Sequence, residues 1–383
     1  MVALFLLSAV FVPELSAAVT VLLAMLWLLF QLAWPARSRT VSFATLAGML
    51  ALGALALVPI ALTQQALAGT TGVAPDGWAG HTYIAVPTEE IGKLLPLVLC
   101  WLIARRRFKR LAAVDYLLLA AASGAGFHLA EQGIRAVVDG PVPDLLDPRY
   151  GLFVLLPGWV GIPQLGIHFS GHAVTTGLIG AAFGLAIVGY RHYGIWLWAL
   201  PPLAVWMAAL EHMTFNAVQI GVEPTPVTAF LFALSGSGAA TRWILLLLLL
   251  VAVVMDYRLT RQAAEVTPPL PGEPPLASLR RRARGLAVRT GVRIPGDIAP
   301  LFRRTALAWV RLPVTLSTAL SSALHEFALT LVAASRGPGA LCATWRFLRQ
   351  RRAYAMGAAR AGERAWRRFP SREKLNETGR ELA

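Results

Sequence analysis

Cysteine is nearly absent: the 383 residues hold two, Cys100 and Cys342, so neither a disulfide framework nor a thiolate metal site is on offer. Charge is scarce as well. Asp, Glu, Lys and Arg make up 14% of the chain against 56% apolar residues, and the apolar residues fall in runs of about 17 to 25, the length that spans a bilayer. No zinc-finger, homeodomain or RNA-binding signature accompanies the net charge of +15, so nucleic acid is not an expected partner. No long-range internal repeat is visible. Residues 1–12 are apolar but lack the basic start of a secretory signal and stop at Pro13 and Glu14; they read as a half-embedded lead-in.

The charge that is present is unevenly placed. Residues 1–256 carry 12 Lys/Arg and 12 Asp/Glu, whereas residues 257–383 carry 23 and 8. This divides the chain into a membrane domain (1–256), a Pro-rich linker (257–276) containing "TPPLPGEPP" from Thr267 to Pro275, and a basic tail (277–383). A basic tail beside a membrane domain points to anionic lipid headgroups or to cytoplasmic retention. Within it Leu316, Leu320, Leu324, Phe327 and Leu331 recur at three- and four-residue steps, the pattern of an amphipathic, surface-bound or paired helix.

The predicted fold is an all-α polytopic bundle of 7–8 spans, near 16–34, 41–62, 87–103, 111–134, 166–189 and 193–219, with a last one ending near 256. "SGSGAATR", Ser235 to Arg242, interrupts that last stretch as a kink, a re-entrant turn or a loop. With alternating spans, the connections Ala36–Arg39, Arg105–Arg110 and Arg191 lie on the same side as the tail. Positively charged loops are retained in the cytoplasm. The loops opposite hold Asp76, Asp139, Asp144, Asp147 and Glu223 against Arg135 and Arg149, which agrees with a plasma-membrane protein whose C-terminal tail is cytoplasmic.

Ionisable residues inside spans cost roughly 2.5 to 3.5 kcal/mol each at a helix centre, so they ask for a partner or a purpose. The third span opens with Glu89, Glu90 and Lys93, and the fourth closes with His128 and Glu131. The fifth opens with His168 and His172; the sixth closes with Glu211, His212 and Asn216. On the alternating topology all four clusters fall in the outer leaflet, within roughly 10 Å in depth at 1.5 Å of rise per residue. Glu89 and Lys93, Phe127 and Glu131, and His212 and Asn216 are each four apart and share a helix face. Small residues in "AAASGAG" (Ala120–Gly126) and "TTGLIGAAFG" (Thr175–Gly184) permit the close helix approach that gathers such faces around one pocket.

Taken in order, the Glu89–Glu90 pair with Lys93, Phe127 with Glu131, His172 heading "AVTTGLIG", and His212 with Asn216 resemble the four motifs of the PrsW family of intramembrane proteases, related to the CAAX prenyl endopeptidases. The resemblance covers about residues 85–220, with Gln132 and Pro163–Gln164 departing from the pattern. It implies an endopeptidase that cleaves membrane-protein substrates near the outer face, as in the release of anti-sigma factors.

The residues expected to carry such a reaction are Glu89, Glu90, Lys93, Glu131, His172, His212 and Asn216. Glu89 suits a general base, with Lys93 holding it in place, and Asn216 suits an oxyanion donor. His172 and His212 either orient the water directly or, with Glu131 and a glutamate of the first pair, bind a divalent metal such as zinc. A metal-free, glutamate-activated water stands equally open. His168 lacks the neighbouring Glu of a zinc-protease helix and reads as structural. The rival readings are an ion- or proton-coupled transporter, which would use the same buried charges as a relay, and a catalytically inactive membrane scaffold.

Overall fold

The computed structural model describes residues 13–138, 154–262, 267–272, 307–361 and 372–381. The lead-in 1–12, most of the acidic loop 139–153 and much of the linker and early tail lie outside them. The chain divides into two compact units, one of Met1–Ala36, Val41–Arg105 and Ala113–Ala252, the other of Arg37–Thr40, Arg106–Ala112 and Val253–Ala383.

In the first unit, α1 (Pro13–Ala33) is followed by α2 (Phe43–Thr71). Ser42 caps α2 by accepting from the Thr45 N–H at 3.1 Å, and Gly72 ends it at φ 69°, its N–H returning to the Ala68 carbonyl. After a π-helical turn (Gly80–Ile84) come α3 (Ala85–Gly92) and α4 (Leu95–Ile103). The single span expected at 87–103 is therefore two helices with a break at Lys93–Leu94. Pro96, in the first turn of α4, has no N–H to give the carbonyl four residues back, and its ring crowds that carbonyl.

Helix α5 (Ala113–Val138) is the centre of the unit. Every side chain from Ala113 to Leu129 is buried, against α1, α2 and α6 (His172–Tyr193). Small residues make this possible. A Cβ on Gly180 of α6 would lie 2.6 Å from the Tyr116 carbonyl oxygen, and one on Gly126 would strike the Leu50 carbonyl of α2, so backbones touch where side chains normally intervene. At the start of α5 the buried Asp115 carboxylate accepts from the Val41 N–H at 3.1 Å.

Then follow α7 (Leu200–Gln219), α8 (Pro226–Leu234) and α9 (Thr241–Gln262). The interruption at Ser235 is thus a tight turn between two helices, with Gly236 and Gly238 at positive φ. Among the described residues four helices are long and apolar enough to cross a membrane: α2, α5, α6 and α9. The protein is an all-α integral membrane protein to this extent.

One element departs from helix. Where the sequence reading begins a span at 166, two short antiparallel strands form instead: β1 (Val160–Ile162) and β2 (Ile167–Phe169), with Val160 opposite Phe169. Gly166 and Gly171 sit at φ 63° and 87°, which holds helix off until His172. Ile167 and Phe169 turn inward onto Phe215 and Phe232, leaving His168 on the opposite face.

In the second unit α9 continues, with α10 (Leu307–Ser335), α11 (Pro338–Ala361) and α12 (Arg372–Glu381). Ser38 donates to Asp256 at 3.0 Å. Arg352 pairs with the buried Glu326 at 2.8 Å and also donates to the Arg39 carbonyl. The leucines at three- and four-residue steps fall on α10.

Candidate active site

All seven predicted site residues lie in the first unit, on α3, α5, α6, α7 and the break after α3. Lys93 is fully buried and donates to Glu90 Oε1 at 2.6 Å. It has stepped out of helix where α3 ends, and Ser123 of α5 donates to its carbonyl at 2.6 Å. On its other side Lys93 Nζ meets His172 Nδ1 at 3.0 Å. An ammonium can only donate, so Nδ1 accepts and the ring hydrogen sits on Nε2. His172 Nε2 accordingly donates to Glu131 Oε2 at 2.9 Å, and Arg135 holds the other Glu131 oxygen at 2.8 Å.

His212 is arranged in the opposite sense. Its Nδ1 donates to Glu90 Oε1 at 2.9 Å, which leaves the Nε2 lone pair free. That lone pair faces Glu89 Oε2 at 3.7 Å. Glu89 Oε2 is buried and without a hydrogen-bond donor, while Oε1 accepts from Gln64 of α2 at 3.2 Å. Two buried acceptors thus face each other. Only a proton or a cation between them relieves that arrangement.

This is the observation against which a metal is tested, and the donors fit one. At metal–ligand distances of about 2.0–2.2 Å, two ligands of one zinc ion stand up to about 4 Å apart, and Glu89 Oε2 and His212 Nε2 fall within that. Glu90 accepting from His212 Nδ1 is the outer carboxylate that commonly orients a ligating imidazole. The ligand atoms of Glu89, His172 and His212 lie within 4.8 Å of one another, as do those of His128, Glu131 and His172. The structure therefore groups Glu89 with the two histidines and sets Glu131 beside His172.

Aromatic rings fix the imidazoles. Phe169 stacks on His212 with centroids 4.7 Å apart, and Phe127 meets His172 edge-on at 4.9 Å. Phe127, four residues before Glu131, thus works as packing. Asn216 donates from Nδ2 to the His81 carbonyl at 3.0 Å, tying α7 to the π-helical turn; an amide nitrogen has a second hydrogen to give.

A family model described as PrsW family intramembrane metalloprotease matches residues 41–254. The chain belongs to this family. Among curated proteins no match is found, and among solved structures none is found either. As a PrsW-family member the protein is an integral-membrane protease, and the four motifs read from the sequence are brought into one cluster of hydrogen-bonded side chains.

Sequence reasoning did not place Gln64, Ser123 or Arg135 at the PrsW site. Gln64 had a signal, a polar residue near the end of an otherwise apolar run; Ser123 was hidden among the small residues of α5. Glu211, next to His212, is buried and accepts from the Ser170 N–H and from Thr241 Oγ1. Ser170 Oγ in turn donates to the Gly238 carbonyl at 2.7 Å. Glu211 therefore pins the end of β2, which carries Phe169, to the turn before α9. Replacing Glu211→Ala strands a buried N–H and is expected to cost about 1–3 kcal/mol. Glu211→Gln, which keeps an acceptor for that N–H, is expected to cost clearly less. Denaturant unfolding in detergent checks both, and equal stability of the two variants would count against the clamp.

Proposed function

We propose that the protein cleaves other membrane proteins near the outer face of the plasma membrane, with a water activated at the Glu89–His212 pair. The observation that carries this is the pair of facing buried acceptors, Glu89 Oε2 and His212 Nε2, 3.7 Å apart. Support for the side comes from the sequence: alternating spans of a seven- to eight-span chain put the basic connections and tail in the cytoplasm and the acidic cluster in the outer leaflet. The family resemblance supports a substrate such as a membrane-bound anti-sigma factor.

The residues that would hold a divalent ion such as zinc are Glu89, His172 and His212. What such an ion supplies when bound is Lewis-acid polarisation of the scissile carbonyl and a more acidic water. The protein's own groups do the rest. Glu90 keeps the hydrogen of His212 on Nδ1, so Nε2 stays a donor of electrons. Lys93 neutralises Glu90 and holds His172. Glu131, released once His172 Nε2 gives up its hydrogen to become a ligand, would then be the carboxylate left to take a proton from water and return it to the leaving amine. The second Asn216 hydrogen is available to the oxyanion.

One observation favours a metal-free variant: Lys93 and Glu131 already engage both nitrogens of His172. In that variant His212 orients the water and Glu89 Oε2 takes its proton. Chelation separates the two. Exhaustive dialysis of the reconstituted protein against a strong zinc chelator is expected to abolish cleavage of a single-span substrate, and added zinc to restore it. Full cleavage by protein shown by elemental analysis to be metal-free would establish the glutamate-water variant instead.

A further inference from the structure

The second unit contains a concentration of positive charge that the protease reading does not use. The connection between α4 and α5 reads "RRRFKR" from Arg105 to Arg110, five cations and no acid, of which Arg106–Arg110 belong to this unit. Helix α11 has five arginines, Arg346, Arg349, Arg351, Arg352 and Arg360, and again no acid. Arg360 donates to the carbonyls of Phe108 and Leu111, the latter at 2.8 Å, which lays α11 along the connection. Arg349 and Arg360 are eleven residues apart, about three turns, and so share the face that meets it.

Like charges from distant parts of the sequence are thereby pressed together. Partial burial, together with the fields of Arg107, Arg346 and Arg352, pulls the Arg349 pKa below the ordinary arginine value. Arg351 and Arg352 have protein partners, a carbonyl for the first and Glu326 for the second. Among the described residues no acid pairs with Arg106, Arg107, Lys109, Arg346 or Arg349, and all but the last are well exposed. Such convergence is repulsive unless an external polyanion covers it.

We propose that the Arg106–Arg110 connection and helix α11 together form a binding site for the headgroups of anionic phospholipids. Charge complementarity selects an anion. A lipid is selected because the connection runs from the apolar α4 to α5, a helix long and apolar enough to cross a membrane, so it emerges at the membrane surface. The Arg105 guanidinium sits 5.1 Å over the Trp101 ring, a pairing suited to headgroup depth. The same unit also exposes an apolar stripe on α10, Leu320 (61%), Leu324 (58%) and Leu331 (54%), with the spacing of a helix lying in an interface. The site would tie the basic tail to the membrane through phosphate–guanidinium bonds, which are commonly bidentate.

The test uses the full-length protein in detergent, titrated with phosphatidylglycerol or phosphatidylcholine and read by native mass spectrometry. Wild type is expected to retain phosphatidylglycerol preferentially. The triple variant Arg107→Gln/Arg346→Gln/Arg349→Gln is expected to bind it on the order of 100-fold more weakly, at about fivefold per cation near a headgroup. A control, Arg372→Gln/Arg380→Gln on α12, is expected to keep the preference. Circular dichroism and melting of each variant guard against misfolding. Equal lipid retention by wild type and a folded triple variant would overturn the proposal. So would displacement of the lipid by millimolar inorganic phosphate, which marks a free-anion site, or by an oligonucleotide at 150 mM salt, which marks a nucleic-acid surface. None of these readouts depends on peptidase activity.

Discussion

Glu89→Gln is expected to lower the cleavage rate of a single-span substrate in proteoliposomes by about 100- to 10,000-fold, the range over which a positioned acid–base group acts. Either mechanistic variant gives this result. Glutamine cannot serve as the anionic ligand opposite His212, nor can it take a proton from water. The Gln64 contact to Glu89 Oε1 survives the change, because an amide oxygen accepts as a carboxylate does. The substitution also removes one of the two facing acceptors, since an amide N–H can donate to His212 Nε2. The variant should therefore melt at or slightly above the wild-type temperature. A loss of activity accompanied by unfolding would leave Glu89 a structural residue and contradict its proposed role.

The second large effect concerns stability. Lys93 has no exposed surface and Glu90 only 3%, so Lys93→Met leaves a buried carboxylate facing His212 with its cation gone. Breaking such a pair from one side costs about 3–5 kcal/mol. The double variant Lys93→Met/Glu90→Gln removes the orphaned charge and should recover a substantial part of that loss, although not activity, because the His212 tautomer is then no longer set by a carboxylate. Equilibrium unfolding of the two single variants and the double variant measures the coupling directly. Additive losses would mean that the ion pair is not the unit that holds the break after α3.

Which residues gather at the candidate site was largely legible in the sequence because charge inside an apolar run marks itself. Glu89, Lys93, Glu131, His172 and His212 each stand among residues that could be lipid-soluble, and counting along the expected spans puts them at one depth. What the sequence hid were features whose energetics are decided by neighbours. Ser123 and Gln64 are ordinary residues until α5 and α2 pack against α3. The break at Lys93–Leu94 was masked by the apolar run that resumes at Leu94, although Pro96 was there to announce it. The β1–β2 hairpin was missed because Ile167, His168 and Phe169 fit a helix as well as a strand by hydropathy, and only the positive φ of Gly166 and Gly171 separates the two. Glu211 was undervalued beside His212 because its partners, Ser170 and Thr241, lie 41 and 30 residues away in sequence.

On the proposed function, these helices assemble one hydrolytic site acting on membrane proteins. Its most direct test compares new protein N-termini in membranes and secreted fractions of cells producing wild type, Glu89→Gln or His212→Ala at matched levels. A terminus near the outer end of a single-span protein, present with wild type and missing with both variants, is the expected result. Identical termini from all three, with each protein folded and in the membrane, would contradict it.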